Sequence, residues 1–78
     1  MKTIIDGKLY DTEQASLVAV GAYIEVYRTQ KGNWFKKCGS PLENSCRVVP
    51  VEGREAQSLV GLHAPDEYEK YFGRPEEA

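Results

Sequence analysis

The chain has 78 residues, so it holds one domain with a thin core and offers little depth for a buried cleft. Hydrophobic residues make up 41% and charged residues 28%, which excludes both a disordered tail and a membrane protein. A net charge of -2 is too balanced for a general nucleic-acid binder and too weak for an acidic mimic of one.

The first seven residues, Met1 to Gly7, lack the apolar centre of a secretory leader, and we expect a cytoplasmic protein. Within them Asp6-Gly7 stands between short apolar stretches. Both residues tolerate positive φ, so the pair predicts a type I′ hairpin with strands at 2–5 and 8–10. Asp11 or Thr12 can then cap a helix, and Gln14 lies three residues after Asp11 as in a capping box. Ala15, Val18 and Ala19 share a helical face, and Gly21 suits a left-handed cap. The spacing predicts a helix over 12–20.

Residues 22–29 are rich in β-branched and aromatic side chains, and Gln30-Lys31-Gly32 supplies a three-residue turn. Asn33 to Cys38 should return as the partner strand. If Thr29 faces Asn33, then Arg28 opposes Trp34, Tyr27 opposes Phe35 and Glu25 opposes Lys37. That register creates a cation–π pair and a cross-strand ion pair. Gly39 to Ser45 is loop chemistry. Cys46 to Val51 reads as a strand ending or lying at an edge, because Pro50 has no N–H for a ladder. Arg54 to Leu62 has helical spacing, and Pro65 starts a second helix on which Tyr68, Tyr71 and Phe72 share a face. Residues 73–78 form a frayed, acidic tail. The expected architecture is one α+β domain over 1–78: a small antiparallel sheet of four or five strands with short helices packed on one face.

Catalytic constellations are missing from the sequence. His63 is the single histidine and sits at a helix end, where contact with the last carbonyls is its ordinary role. The acid pairs Glu52/Glu55, Asp66/Glu67 and Glu76/Glu77 suit solvated helix faces or the tail. Glycines are scattered, without the spacing of a phosphate-binding loop. Two cysteines and one histidine are too few for a structural zinc, and Cys38 and Cys46 are expected as free thiols in a reducing compartment. We therefore expect no enzyme, no metal and no cofactor.

Two surfaces qualify for partner binding. One is the hairpin tip, where Arg28, Lys31, Lys36 and Lys37 surround Trp34. Its stacking and charge together suit a contact with nucleic acid or an acidic protein, but the core reading of Trp34 and Phe35 is favoured, because so short a chain needs its only tryptophan there. The other is the acidic amphipathic helix carrying Glu67 and Glu69, suited to a basic partner unless its aromatic residues pack on the sheet. The charge distribution supports both. Through Val51 there are seven basic and five acidic residues; from Glu52 on there are three and seven.

Two blocks carry a resemblance to a known group: Gly7-Lys8-Leu9-Tyr10-Asp11-Thr12-Glu13, and Tyr27-Arg28-Thr29-Gln30-Lys31-Gly32-Asn33-Trp34-Phe35. With the later strand ending Val49-Pro50-Val51, they resemble a group of short bacterial proteins encoded in prophages and other mobile elements. In that group the second block runs into a glycine-rich acidic loop. Here it continues Lys36-Lys37-Cys38-Gly39-Ser40-Pro41, so no functional residue is carried over. The resemblance implies a mobile-element protein. We expect a non-catalytic protein-binding module, a monomer or small homo-oligomer, that inhibits a bacterial host defence complex, of the anti-CRISPR type, by covering a surface. The alternative expectation is a nucleic-acid-binding accessory protein using residues 28–37.

Overall fold

A computed structural model describes residues 1–40 and 45–78 of the chain. Strands β1 (Lys2–Ile5) and β2 (Lys8–Asp11) form a two-stranded sheet. Strands β3 (Ser16–Gly21), β4 (Ile24–Arg28), β5 (Trp34–Cys38) and β6 (Arg47–Val51) form an antiparallel sheet in chain order. Helices α1 (Gly53–His63) and α2 (Pro65–Phe72) follow. The fold is α+β, as expected.

The alternation of side chains along β4 and β5 divides the core into two layers. Val26 and Trp34 point to the face covered by Ala56 and Val60 of α1, with Tyr68, Tyr71 and Phe72 of α2 packed behind them. Tyr27 and Phe35, one residue on, point to the opposite face and meet Tyr10 of β2, with Val48 of β6 beside them. The central sheet is thus covered by helices on one face and by the first hairpin on the other. Phe35 and Val26 are fully buried at its centre.

Local chemistry sets both hairpins. Asp6 and Gly7 have φ of 52° and 74°, the double positive φ that a type I′ turn requires. The pairing runs from Lys2↔Asp11 to Ile5↔Lys8. In the β4–β5 hairpin the register is Arg28↔Trp34, Tyr27↔Phe35 and Glu25↔Lys37, as anticipated. The turn closes through the Thr29 N–H donating to the Asn33 carbonyl at 2.8 Å, with Gly32 at φ 90°. Pro50 lies on the outer strand of the sheet, where its missing N–H breaks no ladder. Of the loop expected over 39–45, residues 41–44 lie outside the described residues.

The expected helix over 12–20 is not formed. Asp11 does accept a backbone bond, its Oδ1 taking the Glu13 N–H at 3.0 Å, and its carbonyl takes the N–H of Ala15 at 3.0 Å. That single turn stops at Ala15, and the chain enters β3. There the register against β4 shifts between Leu17 and Ala19, a β-bulge. The bulge turns two successive residues, Val18 and Ala19, into the helix-side core. Adjacent apolar residues on one side break the alternation of a strand and imitate a helical face. Pairing along β4 and burial of Val18 and Ala19 then outweigh a helix propensity worth a few tenths of a kcal/mol per residue.

Candidate interaction surfaces

The basic residues at 28–37 are drawn apart by the fold. Trp34 is only 7% exposed, stacked on Phe72 with ring centroids 5.3 Å apart and edge-on to Tyr71 at 5.4 Å. The Arg28 guanidinium lies 5.1 Å from the Trp34 ring and 5.5 Å from the Tyr71 ring, so it fastens α2 to the sheet. Lys36 and Lys37 are neighbours in a strand and therefore point to opposite faces. Lys36 Nζ meets Glu55 Oε2 of α1 at 2.7 Å, and Lys37 Nζ lies 4.0 Å from Glu25. Lys31 is exposed in the turn. Arg28 and Trp34 are together; the three lysines do not converge on them.

Glu67 and Glu69 are exposed on α2. Two residues along a helix turn through about 200°, so they leave opposite flanks rather than one face. Between them Tyr68 is half-buried, and its hydroxyl accepts a bond from Gln57 of α1.

The remaining chemistry is internal. Tyr27 donates its hydroxyl proton to Glu25 Oε1 at 2.7 Å. Burial, then that bond and the charge of the Glu25 carboxylate, push the Tyr27 pKa up to about 12. The His63 imidazole packs against Gly21 at the end of α1. Cys38 and Cys46 are free thiols. Among the described residues no group of three or more His, Cys, Asp or Glu side chains converges as metal ligands.

A further surface lies on the segment whose spacing predicts a helix. β3 is an outer strand of the sheet, and along it Leu17 and Val20 are 52% and 55% exposed, followed by Tyr23 at 66%. Leu17 pairs with Tyr27 and Val20 with Glu25, which places both on the face that carries the first hairpin. Exposed strand edges usually carry lysine, proline or inward charge to prevent pairing with another chain. The sequence Ser16-Leu17-Val18-Ala19-Val20-Gly21 has none of these, only the bulge. The opposite edge, β6, has both Arg47 and Pro50. The available signal was Val18 and Val20, two β-branched residues bounded by Ser16 and Gly21.

Among the described residues no helix is long and apolar enough to cross a membrane. The chain matches no family model, no curated protein and no solved structure.

Proposed function

We propose that this protein is a non-catalytic protein-binding module that engages its partner along the β3 edge, adding a strand of the partner to the sheet or seating it on Leu17 and Val20. In its most concrete form it is a mobile-element inhibitor of a bacterial host defence complex, of the anti-CRISPR type, acting by covering a surface. The observation that carries the reading is the uncharged outer strand with two large apolar side chains half-exposed on one face. The small size of the chain and its resemblance to mobile-element proteins support the finer form. Nucleic-acid binding through residues 28–37 draws less support, because Lys36 and Lys37 are engaged by Glu55 and Glu25 and Trp34 belongs to the core.

The test compares wild type with Leu17→Lys/Val20→Lys and with Glu67→Lys/Glu69→Lys, each shown to be folded, in affinity capture from bacterial lysate with and without nuclease. A protein complex that survives nuclease and is lost only with the β3 variant supports the reading. Loss only with the α2 variant moves the contact to the acidic helix, and nuclease-sensitive capture overturns protein binding. Sedimentation of the purified chain adds one further outcome. A dimer abolished by the β3 variant would make a second copy the occupant of the edge.

A further inference from the structure

The first hairpin and the β4–β5 turn enclose a cleft of about 350 Å³. Among the described residues its lining takes in all of β2, Lys8 to Asp11, and none of β1, so the cleft runs along the outer edge of β2. The facing wall is the β4–β5 turn, which spends its main-chain bonds on itself: the Thr29 N–H donates to the Asn33 carbonyl and the Gly32 N–H to the Thr29 carbonyl. The β2 edge is left open. In a two-residue hairpin Ile5↔Lys8 is a hydrogen-bonded pair, and bonded and non-bonded pairs alternate from there. The Thr12 N–H on the Met1 carbonyl, at 3.0 Å, keeps the same phase. Leu9 and Asp11 therefore turn their N–H and C=O groups away from β1. The Asp11 carbonyl is taken by the N–H groups of Gln14 and Ala15, whereas neither main-chain group of Leu9 has a partner among the described residues. The Leu9 side chain stands beside its cross-strand neighbour Ile4 on the outer face of the hairpin, where they are 51% and 74% exposed. Asp11 is buried, so Lys8 and Lys31 are the charges that the lining presents to solvent. Neither is in an ion pair among the described residues.

We propose that the cleft takes up a short, extended, acidic segment of a partner protein as a third strand on β2. A strand meets each demand of the site. Its main chain supplies an acceptor for the Leu9 N–H and a donor for the Leu9 carbonyl, the two-bond pairing by which sheet edges recognise peptides. The residue opposite Leu9 carries its side chain on the face of Ile4 and Leu9, so an apolar residue there covers that exposed pair. The residues on either side of it point to the other face, that of Lys8, where carboxylates complete the charge of Lys8 and Lys31. The favoured sequence is thus acidic, apolar, acidic. A simple anion fits less well, because it leaves Leu9 unpaired and Ile4 uncovered. The four-residue length of β2 and the facing turn restrict the occupant to a short segment and keep out a whole sheet. The proposal stands independently of the β3 edge, which is formed by other residues.

The experiment is a titration of the isotope-labelled protein followed by backbone amide NMR, read at Leu9 and at Thr29 to Gly32. The probe is the blocked peptide acetyl-Glu-Leu-Glu-amide. Its controls are acetyl-Gln-Leu-Gln-amide, the same acidic peptide N-methylated at leucine, and sodium succinate. Saturable shifts at those amides and slowed hydrogen exchange at Leu9 are expected with the acidic peptide. The uncharged peptide should bind about fivefold more weakly, and so should the acidic peptide to Lys8→Gln/Lys31→Gln, a surface change that leaves the fold intact. The N-methylated peptide lacks the donor for the Leu9 carbonyl and should lose the slowed exchange at Leu9. Absence of saturable shifts, equal affinity for the uncharged peptide, or an unchanged response to the N-methylated one overturns the proposal. Succinate matching the acidic peptide would assign a simple anion and overturn it as well. Shifts confined to Leu17 and Val20 would move the peptide to β3, and shifts at Leu9 that depend on protein concentration without peptide would seat a second copy in the cleft; either result refutes it.

Discussion

Replacing Gly21 by alanine should destabilise the protein by about 1–3 kcal/mol, and the cost should run through His63. A Cβ at this position would lie 2.5 Å from both Cε1 and Nδ1 of His63 and 2.9 Å from Ile24 Cγ2. Carbon contacts are normally about 3.5–4.0 Å, so the overlap with the imidazole is roughly 1 Å. Either the ring leaves its seat on β3, or the strand moves away from α1. The backbone itself contributes no penalty, because Gly21 is not among the residues with positive φ. In the unfolded chain alanine is even favourable, by about 0.4–1 kcal/mol, since it has fewer conformations to lose. His63→Ala alone removes one half-buried ring and a side chain placed at the helix C-terminus, at a cost of about 1 kcal/mol. With the ring gone, the two closest contacts of the new Cβ are removed and the methyl of Ile24 at 2.9 Å still opposes it. Gly21→Ala in that background should then cost less than about 1 kcal/mol, giving a coupling of about 1–2 kcal/mol. Urea unfolding of the four proteins, followed by the fluorescence of Trp34, measures it. Additivity within about 0.5 kcal/mol would refute the reasoning, and would be the result expected of a left-handed helix cap, whose penalty resides in the backbone.

Phe35→Ala should cost about 3–5 kcal/mol, since the ring is fully buried, stacked on Tyr27 at 5.0 Å and edge-on to Tyr10 at 5.5 Å. A domain of this size has about 4–12 kcal/mol in total, so thermal unfolding should show a large drop in Tm; a loss below about 1 kcal/mol would contradict the placement of Phe35 between sheet and first hairpin. Tyr27 favours its neutral form in the folded state, so its stabilising contribution is complete below pH about 10 and is lost as pH rises through about 12. Phenolate absorbance should therefore show one late-titrating tyrosine, and Glu25→Gln should lower its pKa only in part, because burial is the larger cause. Lys36→Gln should lower stability by about 0.2–1 kcal/mol in low salt and less in high salt; Lys37→Gln, whose partner is 4.0 Å away, should do less. Equal and salt-independent losses in urea titrations would show that neither lysine acts through its ion pair.

Much of the fold is legible in the residues because several elements are set by local stereochemistry. Asp6-Gly7 specifies its turn through the φ values it tolerates, and Gln30-Lys31-Gly32 sets the return of β5. The paired positions from Ile24↔Cys38 to Arg28↔Trp34 then follow by counting. Pro50 announces an edge, and Pro65 a helix start, because each lacks an N–H. The α+β class follows from these pieces. The cation–π contact of Arg28 with Trp34 and the pairing of Glu25 with Lys37 follow from the register alone.

Other features depend on partners distant in the chain. Ser16 to Gly21 becomes a strand because β4 offers it a ladder and the helix-side core accepts both Val18 and Ala19, neither of which the segment itself encodes. The same holds for the candidate sites. Alternation says that Lys36 and Lys37 part company, but only the packing of α1 shows that Glu55 awaits one of them. Trp34 could have been a binding aromatic until α2 folded over it. Asp11 reads as a helix cap, and in part it acts as one. Local preferences amount to tenths of a kcal/mol per residue and are written in neighbouring positions. Burial and strand pairing act over several residues at once, and they are decided by which surfaces the whole chain brings into contact.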